Sequence, residues 1–288
     1  MIYSLKNDKL TRMQIRNFLN NFYWWCPLLM YSVDANAWGL FTHLYFAQSL
    51  IMSMPLLDSR LRSAIKKFPE LVMAGACLPD LAVISKKFSS THQWQQVERL
   101  LDIAQTEEEI AIAIGYASHL YVDVIAHNHF VPAHEALWND ESIVAHIASE
   151  WAMDAHITKH ISHTPKQLLN RHLEVISPLV SKCFICPEPQ VCKTLQQLAF
   201  WDSLLRWVKL PQMINQAIRL TDNEVNKTFD YYLTKTEVAL VDFNKALQGH
   251  HPIWEPELRH LGLDELGGWR IRCLKDLTDN LAIPIHYY

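Results

Sequence analysis

Imidazoles and carboxylates recur at helical spacing in the middle of the chain. Residues 119 to 129 read His119-Leu-Tyr-Val-Asp123-Val-Ile-Ala-His127-Asn-His129, and a second pair follows as His146-Ile-Ala-Ser-Glu150. On an α-helix, positions four apart drift by only about 40° around the axis. His119, Asp123 and His127 therefore share one stripe, and His146 and Glu150 form a matching pair on the next helix. If the two helices pack side by side, five nitrogen and oxygen donors converge. Such groups are costly to bury on an apolar helix unless a partner satisfies them. Hydrogen-bonded core histidines would explain one His–Asp pair, but five residues at these intervals point to a divalent cation, zinc foremost.

The elements that must position these residues read as helices throughout. Glycine is scarce, 7 in 288 residues, half the residues are apolar and 19% are charged. Together with frequent helical periodicity, this predicts an all-α fold with a real core, built as a single multi-helix domain. The spacing predicts helices over Thr42 to Met54, Leu57 to Phe68, Trp94 to Ala104, Glu107 to Asn128 and Glu141 to Ile161, the last capped by Asn139 or Asp140. Phe130 to Asp140 reads as a Pro-containing connection. Further amphipathic helices are expected over Val191 to Leu220, broken at Pro211, and over Asn223 to Leu247 and Arg270 to Leu281. No linker divides the chain.

The net charge of −4 offers no basic surface for nucleic acid, and no apolar run is long enough to span a bilayer. The N-terminus has the features of an export signal. Lys6, Lys9, Arg12 and Arg16 precede the apolar patch from Phe22 to Tyr31, and Ala35-Asn36-Ala37 offers a small-x-small cleavage site before Trp38. Residues 1–37 are thus expected to be a cleaved signal peptide, residues 38–288 the catalytic domain, and the protein periplasmic or secreted. In an exported protein a disulfide among Cys183, Cys186 and Cys192 is expected.

An ordered set of short motifs resembles the zinc-dependent phospholipase C family, whose relatives include zinc nucleases that cut single-stranded nucleic acid. Trp38-Gly-Leu-Phe-Thr-His43 resembles the opening of the nucleases, and His43-Leu-Tyr continues as in the phospholipases. Gly75-Ala-Cys-Leu-Pro-Asp80 would bring an Asp, and Thr91-His92-Gln-Trp94 the next His, ahead of the His119 and His146 stretches. The resemblance covers residues 38 to 150. It implies an all-α fold with about three zinc ions in a cleft between helices.

Carried over residue by residue, the resemblance assigns Asp80, His92, His119 and Asp123 to one zinc, and His127, His146 and Glu150 to a second. A third would take His43, an oxygen of Asp123, and the α-amino group and carbonyl of Trp38. Cleavage after Ala37 would liberate that amine, whose pKa near ~8 lets it lose a proton to a metal. Members of the family differ in whether the second-zinc His lies four or six residues after the Asp, which leaves His127 and His129 both open. Helix geometry favours His127, since position 129 points about 80° away from His119, though a bend there would reverse the choice. His134 reads as a loop residue, with a partner that orients a ligand as the alternative, Asp154 either orients a ligand or faces water, and His156, His160 and His163 read as a solvated stripe.

Clustered zinc ions suit phosphodiester hydrolysis, because they activate water and neutralise phosphoryl oxygens. The resemblance also marks Asp80 as a candidate general base. Glu150 in the last ligand position points to a phospholipase C acting on glycerophospholipids at a membrane surface, bound peripherally. The alternatives are a nuclease or nucleotidase of the same fold, favoured by the short Trp38-to-His43 spacing, and a non-catalytic metal-stabilised helical protein.

Overall fold

The computed structural model describes residues 39–52, 58–139, 143–253 and 262–287. Trp38, Asp140 and the whole expected signal segment 1–37 lie outside these. The described residues form one all-α domain with no sheet; the only extended pairing among them is an isolated antiparallel bridge between Pro252 and Tyr287. In chain order the helices are α1 (Leu40–Met52), α2 (Ser59–Lys67), α3 (Pro69–Gly75), α4 (Leu81–Ile84), α5 (Trp94–Ile103), α6 (Glu107–Ile125), α7 (Val131–Trp138) and α8 (Ile143–Ile157). The second half adds α9 (Pro165–Arg171), α10 (Leu173–Phe184), α11 (Glu188–Trp207), α12 (Leu210–Thr221), α13 (Val225–Ala239), α14 (Phe243–Leu247) and α15 (Leu263–Thr278).

Helix α6 is the axis of the domain. A capping box opens it: the Thr106 side chain accepts from the Glu109 amide while the Glu109 carboxylate accepts back from the Thr106 amide. Three glutamates in its first turn complement the helix dipole. Every residue from Ile110 to Ile125 is buried, and α2, α3, α5 and α1 pack around it. The continuous helical run Glu107–Trp138 is long and apolar enough to cross a membrane by length and composition, yet 94% of that window is buried inside the protein. Its apolar character therefore serves the core.

Two glycines set how close α3 comes to α6. A Cβ on Gly75 would collide with the Ile112 carbonyl oxygen, and one on Gly115 with the Val72 carbonyl oxygen. The two backbones thus touch directly, which carries the turn after α3 onto the middle of α6.

The expected connection after residue 130 is instead helical. A π-turn over Ala126–Phe130 joins α6 to α7, and Pro132 sits in the first turn of α7. The reason is local chemistry. Pro132 has no N–H to give the Asn128 carbonyl four residues back, so that oxygen accepts from Trp269 Nε1 at 2.7 Å and lies 3.3 Å from Cys273 Sγ. The His129 carbonyl accepts from Tyr232 Oη at 3.1 Å. The helix survives its proline because α15 supplies the missing donor, and α13 adds a second one beside it. The Val191-to-Leu220 stretch also differs from expectation. It breaks at Val208 and Lys209, the latter left-handed at φ 58°, while Pro211 lies inside the first turn of α12, where a proline is tolerated. Asn139 ends α7 in a left-handed conformation rather than capping α8. Cys183, Cys186 and Cys192 are free thiols rather than a disulfide pair.

The glycine contacts give a two-sided test. Gly115→Ala should lower unfolding free energy by about 1–3 kcal/mol through overpacking, whereas Gly268→Ala, where a Cβ meets nothing within 4 Å, should raise it by up to about 1 kcal/mol. Urea denaturation of both variants measures the contrast.

Candidate metal centre

Helix α6 delivers His119 and Asp123, the π-turn after it delivers His127, and α6 anchors two more donors. His119 Nδ1 donates to the Ala76 carbonyl at 2.8 Å, just past the glycine contact with α3. A carbonyl can only accept, so Nδ1 carries a proton, and it is Nε2 that offers a lone pair when the ring is neutral. The Tyr116 hydroxyl donates to the Thr91 carbonyl, holding the loop that bears His92. Thr91 Oγ1 in turn donates to the Pro79 carbonyl at 2.6 Å and lies 3.3 Å from His92 Nδ1. With the Thr91 proton already committed, His92 Nδ1 donates, and its Nε2 faces the cluster. The turn carrying Asp80 and the loop carrying His92 are thus stitched to each other and to α6.

Asp123 is the hub. Its Oδ1 lies 3.4 Å from His43 Nε2 and 3.8 Å from His127 Nε2, and its Oδ2 lies 3.4 Å from both His92 Nε2 and His119 Nε2. Asp80 Oδ1 stands 4.0 Å from His92 Nε2 and 3.9 Å from His119 Nε2. The His43 and His119 rings stack at 3.5 Å between centroids. His146 Nε2 meets Glu150 Oε1 at 3.0 Å, and the His127 and His146 rings lie 5.2 Å apart.

These groups assemble as three overlapping sets: His43 with His119 and Asp123; Asp80 with His92 and His119; and His127 with His146 and Glu150. The structure therefore brings together His43, Asp80, His92, His119, Asp123, His127, His146 and Glu150. It does not bring in His129. The π-turn falls where the sequence left a choice, and it keeps His127 in the cluster while His129 Nε2 turns to the Pro284 carbonyl at 3.0 Å. Trp38 lies outside the described residues; Gly39, next to it, adjoins the start of α1.

The donor set fits zinc. Two ligands of a tetrahedral zinc with bonds of about 2.0–2.1 Å stand about 3.3 Å apart, close to the 3.4 Å spacings around Asp123. His43 Nε2, His119 Nε2, Asp80 Oδ1 and both carboxylate oxygens of Asp123 are buried and lack a hydrogen-bond partner. So many unsatisfied polar atoms facing one another is a burial cost that a shared cation removes. Side-chain exposure shows where the cluster opens: His92 at 20%, His146 at 18% and His127 at 13%, against 0% for His43, His119 and Asp123.

Without a cation the cluster holds protons instead. Burial lifts the Asp80 carboxyl to about 8, with His119 only partly opposing. Burial also works to raise Asp123, but the imidazoles around it, His119 first, hold it well below the usual carboxylate range. His92 is driven down to about 3 by burial, which the Asp123 charge offsets only in part. Glu150 rises to about 7 through burial. Burial disfavours a charged His146, yet the adjacent Glu150 carboxylate outweighs it and raises the imidazole.

Several residues around the cluster take roles that differ from those their spacing suggests. Asp154, expected to orient a ligand or face water, is buried and caps α1. Its Oδ1 accepts from the Thr42 amide at 2.8 Å and from Thr42 Oγ1 at 2.7 Å, and its Oδ2 accepts from the Phe41 amide at 3.3 Å. Arg206 Nη2 donates to the same Oδ2 at 2.8 Å, and its guanidinium lies 3.3 Å over the Phe41 ring. A Cβ on Gly39 would strike the Asp154 carboxylate, which gives the glycine after Trp38 a steric role. His134 is a core residue rather than a loop residue: it lies buried in α7, with Nδ1 on the Phe130 carbonyl at 2.7 Å. His156, His160 and His163 form no common stripe, since α8 ends at Ile157. His156 pairs with Asp230 at 2.8 Å, and His163 lies 3.6 Å from Glu70.

Comparison with known families adds one finding. The family model described as zinc dependent phospholipase C matches residues 42–186, half of the chain. No curated protein and no solved structure matches the chain.

Two measurements follow from this geometry. Asp80 and Glu150, lifted by burial to about 8 and about 7, hold protons near neutral pH in the metal-free protein, the Glu150 carboxylate raises the His146 imidazole, and a metal must displace the protons these groups hold. Zinc titrated in at pH 7 should release protons, seen as a buffer-dependent binding enthalpy. Apparent affinity should rise with pH until Asp80 loses its proton above about 8. Asp154→Ala, which leaves Arg206 with Asp202 alone and uncaps α1, should cost about 3–5 kcal/mol in urea unfolding.

Proposed function

The chain belongs to the zinc-dependent phospholipase C family, and from that premise we propose that it is an exported metallohydrolase acting as a phospholipase C on glycerophospholipids. The observation that carries this reading is the convergence of eight His, Asp and Glu side chains, several with buried and unsatisfied ligand atoms, all within the segment the family model matches. In this reading Asp80, His92, His119 and Asp123 hold one zinc, and His127, His146 and Glu150 hold a second. His43 and Asp123 hold a third, completed by the amine and carbonyl of Trp38 after cleavage behind Ala37. Bound zinc supplies Lewis-acid polarisation of phosphoryl oxygens and lowers the pKa of water.

The chain's own residues do the rest. His92, His127 and His146, the partly exposed ligands, face the opening through which a phosphodiester would enter. Asp80 Oδ1 has no hydrogen-bond partner and lies at the edge of the cluster, 7% exposed. Beside its ligand role, and following the family resemblance, we assign Asp80 the role of general base toward an attacking water. His119 is locked in one tautomer by the Ala76 carbonyl and stays a lone-pair donor throughout. Asp123, buried among four imidazoles, keeps its charge and balances the cations. The substrate meets the protein at a membrane surface as a peripheral partner, and nucleic acid is not a partner.

The test uses one secreted preparation. About three zinc ions per chain, one for each donor set, a first residue of Trp38, and hydrolysis of phosphatidylcholine micelles are the expected results. His119→Ala should lower turnover by more than about 100-fold, since even residues that only orient a ligand cost 10–100-fold. Cleavage of single-stranded DNA with no action on phospholipid would replace the assignment with the nuclease. A zinc-loaded protein that melts lower on chelation and cuts neither substrate would replace it with a metal-stabilised structural protein.

A further inference from the structure

We propose that the outer face of the α11–α12 corner is a membrane-docking surface that seats the protein on a phospholipid bilayer; this rests on the phospholipase reading above. At about 100° per residue, Phe200, Trp201, Leu204, Trp207 and Val208 fall within a sector of about 120° on α11. Phe200 is 56% exposed, Trp207 79% and Val208 44%, and Met213, at the start of α12, is 61% exposed. The opposite face of α11 is the one that packs, through Leu195, Leu198, Ala199 and Asp202. A contiguous apolar face of this kind marks a binding surface rather than ordinary scatter.

Composition and charge select the bilayer as occupant. The face is rich in Phe and Trp, side chains that settle at the boundary between headgroups and acyl chains. From Thr194 to Ile218 the charged residues are Asp202, Arg206 and Lys209. Asp202 and Arg206 pair with each other at 2.6 Å, and Arg206 reaches inward to Asp154. Lys209, exposed and left-handed at the corner, is the remaining charge. An acidic chain of net charge −4 thus presents an apolar corner bearing a single cation, complementary to lipid phosphates.

The corner also borders the metal centre. Arg206 clamps Asp154, one helical turn beyond Glu150, and covers Phe41, two residues before His43. Helix α4, which Asp80 begins, packs on α11. A bilayer held at the stripe therefore lies alongside the cluster that would cut its headgroups.

The test compares wild type with Phe200→Ser/Trp207→Ser, two exposed positions that belong to none of the donor sets. Zinc-loaded proteins are floated with phosphatidylcholine vesicles and, separately, assayed on short-chain phosphatidylcholine below its critical micelle concentration. The variant should lose vesicle affinity by about tenfold or more, from the apolar area it no longer buries. Its zinc content and its hydrolysis of monomeric lipid should match wild type. Equal vesicle binding by both proteins would overturn the proposal. So would a wild-type dimer that the variant converts to a monomer with no change in vesicle binding, which would make the face a contact between two copies. If neither protein hydrolyses monomeric lipid but only wild type floats with vesicles, the docking face stands and the phospholipase assignment fails.

Discussion

A carboxylate with no hydrogen bond to it, buried at the centre of the protein, governs the arrangement around it. Asp123 is fully shielded from solvent and has four imidazole nitrogens within 3.8 Å. A charge in such a place is tolerated only when opposite charge surrounds it. The contributing imidazoles come from four places: His43 from α1, His92 from the loop before α5, His119 from α6 one turn before Asp123, and His127 from the π-turn that follows α6. The helices must therefore meet at this point, and the devices that make them meet are the costly ones. The glycine contact brings α3 against α6, the Tyr116–Thr91–Pro79 chain ties down two loops, and the buried Asp154–Arg206 pair fixes where α1 begins.

What could be read from the chain beforehand divides along a physical line. The His119, Asp123, His127 and His146, Glu150 intervals are legible because helical periodicity turns sequence distance into direction. Asp80 and His92 lie on a turn and a loop, where no periodicity operates, and only the ordered resemblance to a known family pointed to them. The π-turn was not legible. Pro132 signals a break when read locally, and the donor that rescues the helix, Trp269, lies far along the chain on α15. Asp154 was ambiguous for a similar reason: its spacing from Glu150 allowed a role near the metal, and only the packing of α1 shows that it serves a helix end instead.

The exposed aromatic stripe of α11 shows the other limit. The sequence predicts an amphipathic helix there, and such a pattern by itself assigns the apolar residues to the core. Only the coordinates separate the side that packs from the side that does not.

The manner in which the C-terminal half grips the π-turn has an evolutionary consequence. Trp269 and Tyr232 reach the carbonyl oxygens of Asn128 and His129, and Asn215 on α12 likewise takes the Ala152 carbonyl. Main-chain oxygens are common to every amino acid, so such a brace is indifferent to the identity of the residue it steadies. Lineages can therefore rewrite the buttressing helices, or the side chains they support, without a matching change on the other side. The helices that supply these donors, α12, α13 and α15, all lie beyond residue 186, outside the segment that the family model matches.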